Sequence, residues 1–273
     1  MATTATETIE LSIVIPAFKE SAKIERDIRA AADFLTKNRI TGEIIVVDDG
    51  SPDDTTACAM ALQSSVENLR VLSYEPNRGK GHALHYGMTR AHGRIIMFAD
   101  AGLCVPYDIA LIGMTMLDLG MCDIAHGSRR MRGSIKRAQP LYRKIGSKGF
   151  SLLIHAFMGI PGYISDTNCG FKFYRRDVAY KLYGEMFTDG FMYDVELVLR
   201  ARAENYTILE FPVLWSNDPD TRFSPSRGSL KLLRELAVIR WRLLLDRPAA
   251  SRRPVRERGP ANPTVPTPDS IAR

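Results

Sequence analysis

Cysteine is scarce in this chain, and its spacing argues against the protein classes that depend on it. The four cysteines, Cys58, Cys104, Cys122 and Cys169, form neither a CxxC pair nor a Cys/His cluster of zinc-binding spacing. The pattern therefore argues against a disulfide-stapled domain and against a zinc module. We expect reduced, mostly buried thiols, which are typical of a cytoplasmic protein.

Long apolar runs are also missing. No stretch reaches the ~18 uninterrupted apolar residues that a membrane-spanning helix requires. Residues 109–122 come nearest in the first half, and Asp118 interrupts them. The amino terminus lacks the basic-then-apolar order of a signal peptide, and residues 1–9 are predicted to be a disordered tail. These absences predict a cytoplasmic protein without a transmembrane segment.

Acidic residues are absent between Ile124 and Ser165, although the chain contains 31 of them. The basic residues of this stretch are Arg129, Arg130, Arg132, Lys136, Arg137, Arg143, Lys144 and Lys148. A segment with this many basic residues and no acidic ones is better explained by binding to an anionic partner than by simple exposure to solvent. Because the basic residues lack interleaved aromatic side chains and no nucleic-acid-binding motif is present, nucleic acid is not the expected partner.

The formal net charge of +6 is unevenly distributed along the chain. Residues 248–273 are rich in proline and arginine and contain almost no large apolar side chain. Such a segment cannot bury enough apolar surface to fold. We expect it to be a disordered basic tail.

What the chain does contain is an alternation of short apolar runs and segments of helical periodicity. The predicted strands are residues 11–17, 43–47, 69–75 and 94–100, and the predicted helices are 20–37, 55–64 and 81–92. This alternation predicts an α/β fold with a mostly parallel sheet flanked by helices, Rossmann-like in its N-terminal half. Ligands of such sheets bind beyond the carboxyl ends of the strands.

The second half is less regular. Further predicted elements are a helix over 141–158, a turn, strand and helix start over 164–179, a helix from about Phe191, a strand over 206–215 and a last helix over 229–246. The last helix has Leu232, Leu233, Leu236, Ile239 and Leu243 on one side, flanked by basic residues and Trp241. This pattern fits a core helix or an amphipathic helix on a membrane surface.

Four carboxylates follow the ends of predicted strands: Glu20, Asp48, Asp49 and Asp100. Right-handed crossovers place the carboxyl ends of parallel strands at one edge of the sheet. We therefore expect these acids to converge on one rim. Capping of the next helix by Ser51, Asp53 or Asp54 is an alternative use of the acidic segment after the second strand.

Seven stretches, in this order, carry a resemblance: VIPAFKE, VVDDGSPDDT, NRGKGHAL, FADAG, HGSRR, SDTNCGFKFYRR and YDVELVLRA. Together they resemble the inverting family-2 glycosyltransferases of the GT-A fold, and within them the dolichyl-phosphate β-glucosyltransferases, with polyprenyl-phosphate mannosyltransferases as near cousins. The resemblance implies one catalytic domain over residues 10–247. Residues 10–125 would bind the nucleotide sugar, and residues 126–247 the acceptor.

On the donor side, the resemblance implies contacts from Pro16, Ala17, Phe18, Glu20, Asp48, Asp49, Lys80, Asp100, Ala101 and Arg222. A carboxylate after a strand can accept the imide N–H of uracil. The two glycines around Lys80 let backbone amides and an ammonium approach a diphosphate. Arg222 would close over the donor as a lid.

The metal motif of the family is incomplete here. Relatives carry Asp-x-Asp, whose carboxylates hold Mg²⁺ or Mn²⁺ against the donor diphosphate; this chain has Asp100 and then Gly102. Cys104 stands where some relatives place a further ligand, and a thiol suits a hard cation poorly. We expect Asp100 to be the remaining metal contact and the metal requirement to be weaker than in the family.

On the acceptor side, the resemblance implies that Arg129, Arg143 and Ser147 contact a phosphate and that Asp166, Thr167 and Asn168 border the sugar pocket. Asp100 and Asp194 are the predicted catalytic residues. Asp194 stands where relatives with hydroxyl acceptors place a general base, whereas a phosphate acceptor needs none.

The resulting prediction is an inverting transfer of a hexose, with glucose from UDP-glucose favoured, to a polyprenyl or dolichyl phosphate at a membrane surface. One alternative keeps the fold but glycosylates a soluble hydroxyl-bearing metabolite, with Asp194 as base. Another is a non-catalytic module that only binds a nucleotide sugar.

Overall fold

The structure is a computed structural model that describes residues 8–131, 134, 154–216 and 225–245, with the backbone alone for residues 225–231. The first half alternates strands and helices: β1 Leu11–Ala17, α1 Ile24–Asn38, β2 Gly42–Asp48, α2 Thr55–Met60, β3 Leu69–Ser73, α3 Lys80–Met88 and β4 Ile95–Ala99. Every strand and helix predicted for this half is confirmed. Helix α2 is shorter than predicted, because residues 61–65 form turns.

The second half begins with a 3₁₀ turn, Tyr107–Ile109. It continues with α4 Ala110–Asp118, β5 Ile124–Ser128, β6 Phe171–Arg175, α5 Arg176–Gly184, α6 Tyr193–Ala203, β7 Ile208–Pro212 and α7 Pro225–Leu245. Helix α4 and strand β5 were not predicted from the sequence. Of the helix predicted over 141–158, residues 154–158 are helical and the rest lies outside the described residues. Both predicted tails also lie outside them, except for residues 8 and 9.

The seven strands form one sheet in the order β3-β2-β1-β4-β6-β5-β7. All neighbouring pairs are parallel except those of β6, which runs antiparallel to both β4 and β5. The predicted α/β class with a mostly parallel sheet is confirmed. Because β6 is reversed, its first residues lie at the same edge as the carboxyl ends of β4 and β5.

Helices cover both faces of the sheet, and the sheet separates the core into two clusters. The alternation of side chains in β1 shows the division: Ile13 and Ile15 pack with α1, α2 and α4, whereas Val14 packs with α3 and the later helices. All seven residues of β1 are buried, as expected for a strand in the middle of a two-sided sheet.

Helix α7 packs through Leu232, Leu236 and Ile239, which are buried in the second cluster. This burial fits the core-helix interpretation, one of the two that the sequence left open, although Leu233 is 44% exposed. None of the helices in the described part of the chain combines the length and hydrophobicity that a membrane crossing requires.

Candidate active site

Lys80 and Asp100 meet at the carboxyl edge of the sheet. Lys80 is the first residue of α3, and its Nζ lies 2.6 Å from Oδ1 of Asp100, the residue that follows β4. Burial lowers the pKa of Lys80, but the carboxylates of Asp100 and Asp194 outweigh burial, so that its pKa is raised overall. Lys80 is therefore an ammonium at neutral pH, and its side chain remains 23% exposed.

Gly170, just before β6, fixes the position of the Asp100 carboxylate. The amide of Asp100 donates to the carbonyl of Gly170 (2.9 Å), and a methyl group added at Gly170 would overlap the Asp100 side chain. The antiparallel insertion of β6 beside β4 creates this contact. A glycine is required here because the carboxylate takes the space of a side chain.

Arg129, the residue after β5, is held by Asp166. Its Nε and Nη2 each donate to the Asp166 carboxylate at 2.7 Å, and its backbone amide donates at 3.0 Å. Burial raises the pKa of Asp166, but the guanidinium and the amide of Arg129 more than offset this and lower it to about 2. The carbon of the guanidinium lies 5.7 Å from the ring of Trp215. Asp166 therefore orients Arg129.

Asp100 and Arg129 line the same pocket. Cys104, Gly170, Phe171 and Trp215 are among the other residues that line it. A carboxylate paired with an ammonium and an oriented guanidinium thus face one cavity, although they come from separate halves of the chain. Such a cavity can bind an anionic group through the guanidinium.

Asp49 fixes the loop that carries Lys80. Its buried carboxylate accepts hydrogen bonds from the Tyr74 hydroxyl (2.9 Å), the Asn77 amide group (2.7 Å) and the backbone amides of Arg78 (2.8 Å) and Gly79 (2.9 Å). The Asp49 carboxylate therefore already has hydrogen-bond donors from within the protein. Direct contact of Asp49 with a nucleotide stays a prediction.

Asp48 closes the turn after β2. Its buried carboxylate accepts from the amide and hydroxyl of Ser51 and from the Thr56 hydroxyl (2.9 Å). Asp53 accepts from the amide of Thr55 (3.3 Å), so the acids of this segment do organise the start of α2. Asp48 does not line the pocket of Asp100 and Arg129. A role for Asp48 in binding uracil stays a prediction.

The remaining predicted donor residues lie at the ends of β1 and β4. Pro16 and Ala17 pair with β2, and the carbonyl of Ala17 accepts from the Asp49 amide (2.9 Å). Phe18, Glu20 and Ala101 are partly buried. Arg222 lies outside the described residues, as do the predicted acceptor contacts Arg143 and Ser147.

Asp194 lies at the start of α6 with its carboxylate 4% exposed, in an ion pair with Lys172. Lys172, itself 1% exposed, also donates to the carbonyl of Thr167 (2.7 Å), next to the exposed Asn168. Burial raises the pKa of Asp194, and Lys172 and Lys80 offset this only in part. A general base must reach a proton of the acceptor. Burial and the ion pair argue against that role for Asp194.

Several residues of this site were not identified from the sequence. Lys172 could have been identified, because a lysine between Phe171 and Phe173 in a buried strand requires a buried acidic partner. Asp27 could also have been identified, because it is an acid on the apolar face of α1. Its buried carboxylate accepts a hydrogen bond from the amide of Gly102. Gly170 gives no local signal, because its partner Asp100 is seventy positions away.

The described residues do not fit a metal site of the kind the family resemblance implies. Asp100 is paired with Lys80, and residue 102 has no side chain. Within the described residues, no three His, Cys, Asp or Glu side chains come together as a metal site.

The chain belongs to glycosyl transferase family 2, whose family model matches residues 12–183. Similar proteins include dolichyl-phosphate beta-glucosyltransferases of Saccharomyces cerevisiae (32% identity, 88% of this chain and 76% of the relative), Drosophila melanogaster (32%, 87% and 76%) and Homo sapiens (31%, 87% and 76%). The predicted family and the predicted enzyme class are confirmed: the protein is a glycosyltransferase.

Solved structures support the GT-A fold. Glucosyl-3-phosphoglycerate synthase from Mycobacterium tuberculosis, in complex with uridine-diphosphate, matches with a TM-score of 0.62 at 20% identity, over 85% of this chain and 80% of that one. The same enzyme with Mn²⁺, uridine-diphosphate and glucosyl-3-phosphoglycerate matches with a TM-score of 0.58 at 21% identity, over 87% and 79%. At these identities the likeness establishes the fold class alone.

Replacing Asp166 with asparagine is expected to lower the free energy of unfolding at pH 7 by about 3 kcal/mol, because Arg129 loses its counter-ion. The pKa of Asp166 is depressed from 3.8 to about 2 in the folded protein, so its stabilisation is complete above about pH 5 and is lost as the pH falls toward 2. Urea titrations at several pH values should show the gap between wild type and variant narrowing over this window. Asp33→Asn, at an exposed position of α1, is the control; a pH-independent gap would contradict the prediction.

Proposed function

We propose that this glycosyltransferase transfers glucose, with inversion, from UDP-glucose to a polyprenyl phosphate. The observation that carries the proposal is the Arg129 guanidinium, oriented by Asp166, in the pocket that it shares with Asp100. The names of the relatives that match most of the chain agree with this acceptor and this sugar.

The chemistry requires little from the protein beyond positioning and charge. An oxygen of the acceptor phosphate forms a bond to the anomeric carbon while the bond from that carbon to the β-phosphate oxygen of UDP breaks, and the electron pair leaves with UDP. The attacking oxygen is already anionic near neutral pH, so no base has to remove a proton. Arg129 would hold the acceptor phosphate, and cations near the diphosphate would stabilise the leaving group.

The direct test is a transfer assay with a short isoprenyl phosphate and a panel of nucleotide sugars. We expect a glucosylated lipid product with UDP-glucose and at least tenfold less product with GDP-mannose. Transfer from GDP-mannose alone would overturn the choice of donor. Nucleotide-sugar binding without transfer to any lipid phosphate or soluble alcohol would support the alternative of a non-catalytic binding module.

The alternative of a soluble hydroxyl acceptor depends on Asp194 as general base. Its ion pair with Lys172 can be replaced as a unit by Lys172→Met together with Asp194→Leu, because an apolar pair of similar volume often substitutes for a buried ion pair without loss of stability. With a phosphate acceptor, we expect the double variant to keep its kcat within about tenfold of wild type. A folded double variant with a thousandfold lower kcat would instead favour catalysis by Asp194.

We place the enzyme at the cytoplasmic face of a membrane, held there by α7. Besides its buried face, α7 exposes a second apolar stripe that contains Leu233, Trp241, Leu244 and Leu245. Trp241 and Leu245 are 63% and 65% exposed, and Arg234 lies beside them. An apolar stripe with tryptophan and basic neighbours is suited to the headgroup layer.

Replacing Trp241 and Leu244 together with serine is expected to weaken co-sedimentation with anionic phospholipid vesicles at least tenfold, since each large side chain contributes about 1.5–3 kcal/mol when buried. Leu119→Ser is the matched control, because Leu119 is 70% exposed but lies at the end of α4. Equal binding of both variants would contradict the proposal for α7.

A further inference from the structure

We propose that the ammonium of Lys80, bridging Asp100 and the donor, takes the place of a divalent metal at the diphosphate. Donor binding by this enzyme would then be independent of metal. The inference rests on the UDP-sugar donor of the proposed function and concerns the same site.

Lys80 can bridge the two groups. Its Nζ contacts Asp100 at 2.6 Å, and an ammonium has three donors, of which one suffices for this contact. The side chain is 23% exposed, so a ligand can approach it, and the inference assigns the other two donors to the diphosphate. Its position at the start of α3 adds the positive end of a helix. A cation between a carboxylate and a diphosphate is the arrangement that the metal of an Asp-x-Asp motif provides.

The backbone around Lys80 is fixed before any donor binds. Asp49 holds the amides of Arg78 and Gly79. Side chains at Gly79 or Gly81 would overlap the carbonyls of the loop at residues 188–190, so both glycines are packed closely against it. Lys80 is therefore presented by a rigid loop, as a group that replaces a resident ion should be.

A second carboxylate is excluded locally at position 102. Gly102 has a φ of +102°, a conformation in which any side chain is strained, and its amide donates to Asp27. Asp27 cannot substitute as a ligand, because its carboxylate is 2% exposed and is already bound by Gly102 and Arg26. The backbone conformation at residue 102 therefore disfavours the side chain that would supply a second metal ligand.

The other acids near Asp100 are also committed to cations. Asp194 pairs with Lys172, and Asp166 pairs with Arg129. A carboxylate metal site has excess negative charge, which the ion then neutralises. Here each of the three carboxylates already has a basic partner, and an added divalent cation would have to displace Lys80.

The experiment measures UDP binding to the full chain by titration calorimetry. One titration contains EDTA, and the other contains about 1 mM Mn²⁺, which saturates a typical ion site. For the wild type we expect the two Kd values to agree within about threefold. A Kd at least tenfold weaker in EDTA would overturn the inference.

Lys80→Ala provides the second readout. In EDTA we expect its UDP affinity to fall at least tenfold. Adding Mn²⁺ should recover part of that loss, because Asp100 is then free to hold an ion, and the further change Asp100→Asn should abolish the recovery. Lys181→Ala, on the outer face of α5, is the matched control and should bind UDP as the wild type does. Wild-type affinity of Lys80→Ala in EDTA would overturn the inference.

The result also separates this inference from the proposed function. Tight UDP binding that requires Mn²⁺, with normal glucose transfer, overturns the role of Lys80 alone. No UDP binding under either condition overturns the proposed donor and the inference with it.

Discussion

Replacing Arg129 with alanine is expected to lower kcat/KM for transfer to an isoprenyl phosphate by about 100-fold to 1000-fold, the usual effect of removing an oriented group that stabilises charge. The guanidinium is the basic group that Asp166 directs into the pocket of Asp100. Under the proposed function, its loss would remove the charged group that holds the acceptor phosphate. Initial rates at varied acceptor concentration would measure the effect.

Two further variants make the Arg129 experiment specific. Arg129→Lys retains the positive charge but not the planar set of N–H donors of a guanidinium, so we expect an intermediate loss of kcat/KM. Arg29→Ala, on the exposed side of α1, removes an arginine whose partner is Glu25 and should leave kcat/KM unchanged. Activity of Arg129→Ala within threefold of wild type would show that another group binds the acceptor phosphate.

Gly170→Ala is expected to abolish most transfer, with at least a 100-fold loss of kcat, although it adds only one methyl group. That methyl would occupy the space of the Asp100 carboxylate, so Asp100 and its partner Lys80 must move. Forced displacement in a packed site also costs about 1–3 kcal/mol of stability. Turnover and urea unfolding should therefore be measured on the same preparation.

Gly184→Ala is the matched control for Gly170→Ala. Gly184 ends α5, and a methyl group there meets no atom within 4 Å. We expect unchanged turnover and a stability equal to or up to about 1 kcal/mol above wild type. A fully active Gly170→Ala variant would show that the position of Asp100 is not critical for the reaction.

The sequence predicted the first half of the fold well because its signals are local. Four apolar runs separated by helical periodicity define β1 to β4, and β1, β2 and β4 are buried on both faces, whereas the edge strand β3 is only partly buried. Strand β5, with the sequence IAHGS, escaped prediction because it is short and contains polar residues. Its burial comes from β6 and β7 on either side, and periodicity does not show such partners.

The candidate site was only partly accessible from the sequence. The motifs identified Lys80, Asp100 and Arg129 as groups with the chemistry to bind phosphates, and all three do lie at one edge of the sheet. Their pairing was not predicted. That Asp166 borders a sugar pocket stays a prediction; what the structure adds is that its carboxylate orients Arg129.

The amino-acid sequence by itself determined the α/β class, all the strands except β5 and the residue types that meet at the rim, because these follow from local periodicity and side-chain chemistry. The tertiary structure alone decided which charges pair. The pairs join residues at least twenty positions apart, and their geometry depends on the reversed strand β6 lying between β4 and β5. Pairing energy at close range falls steeply with distance and exposure, so it is defined only once the sheet has brought the groups together.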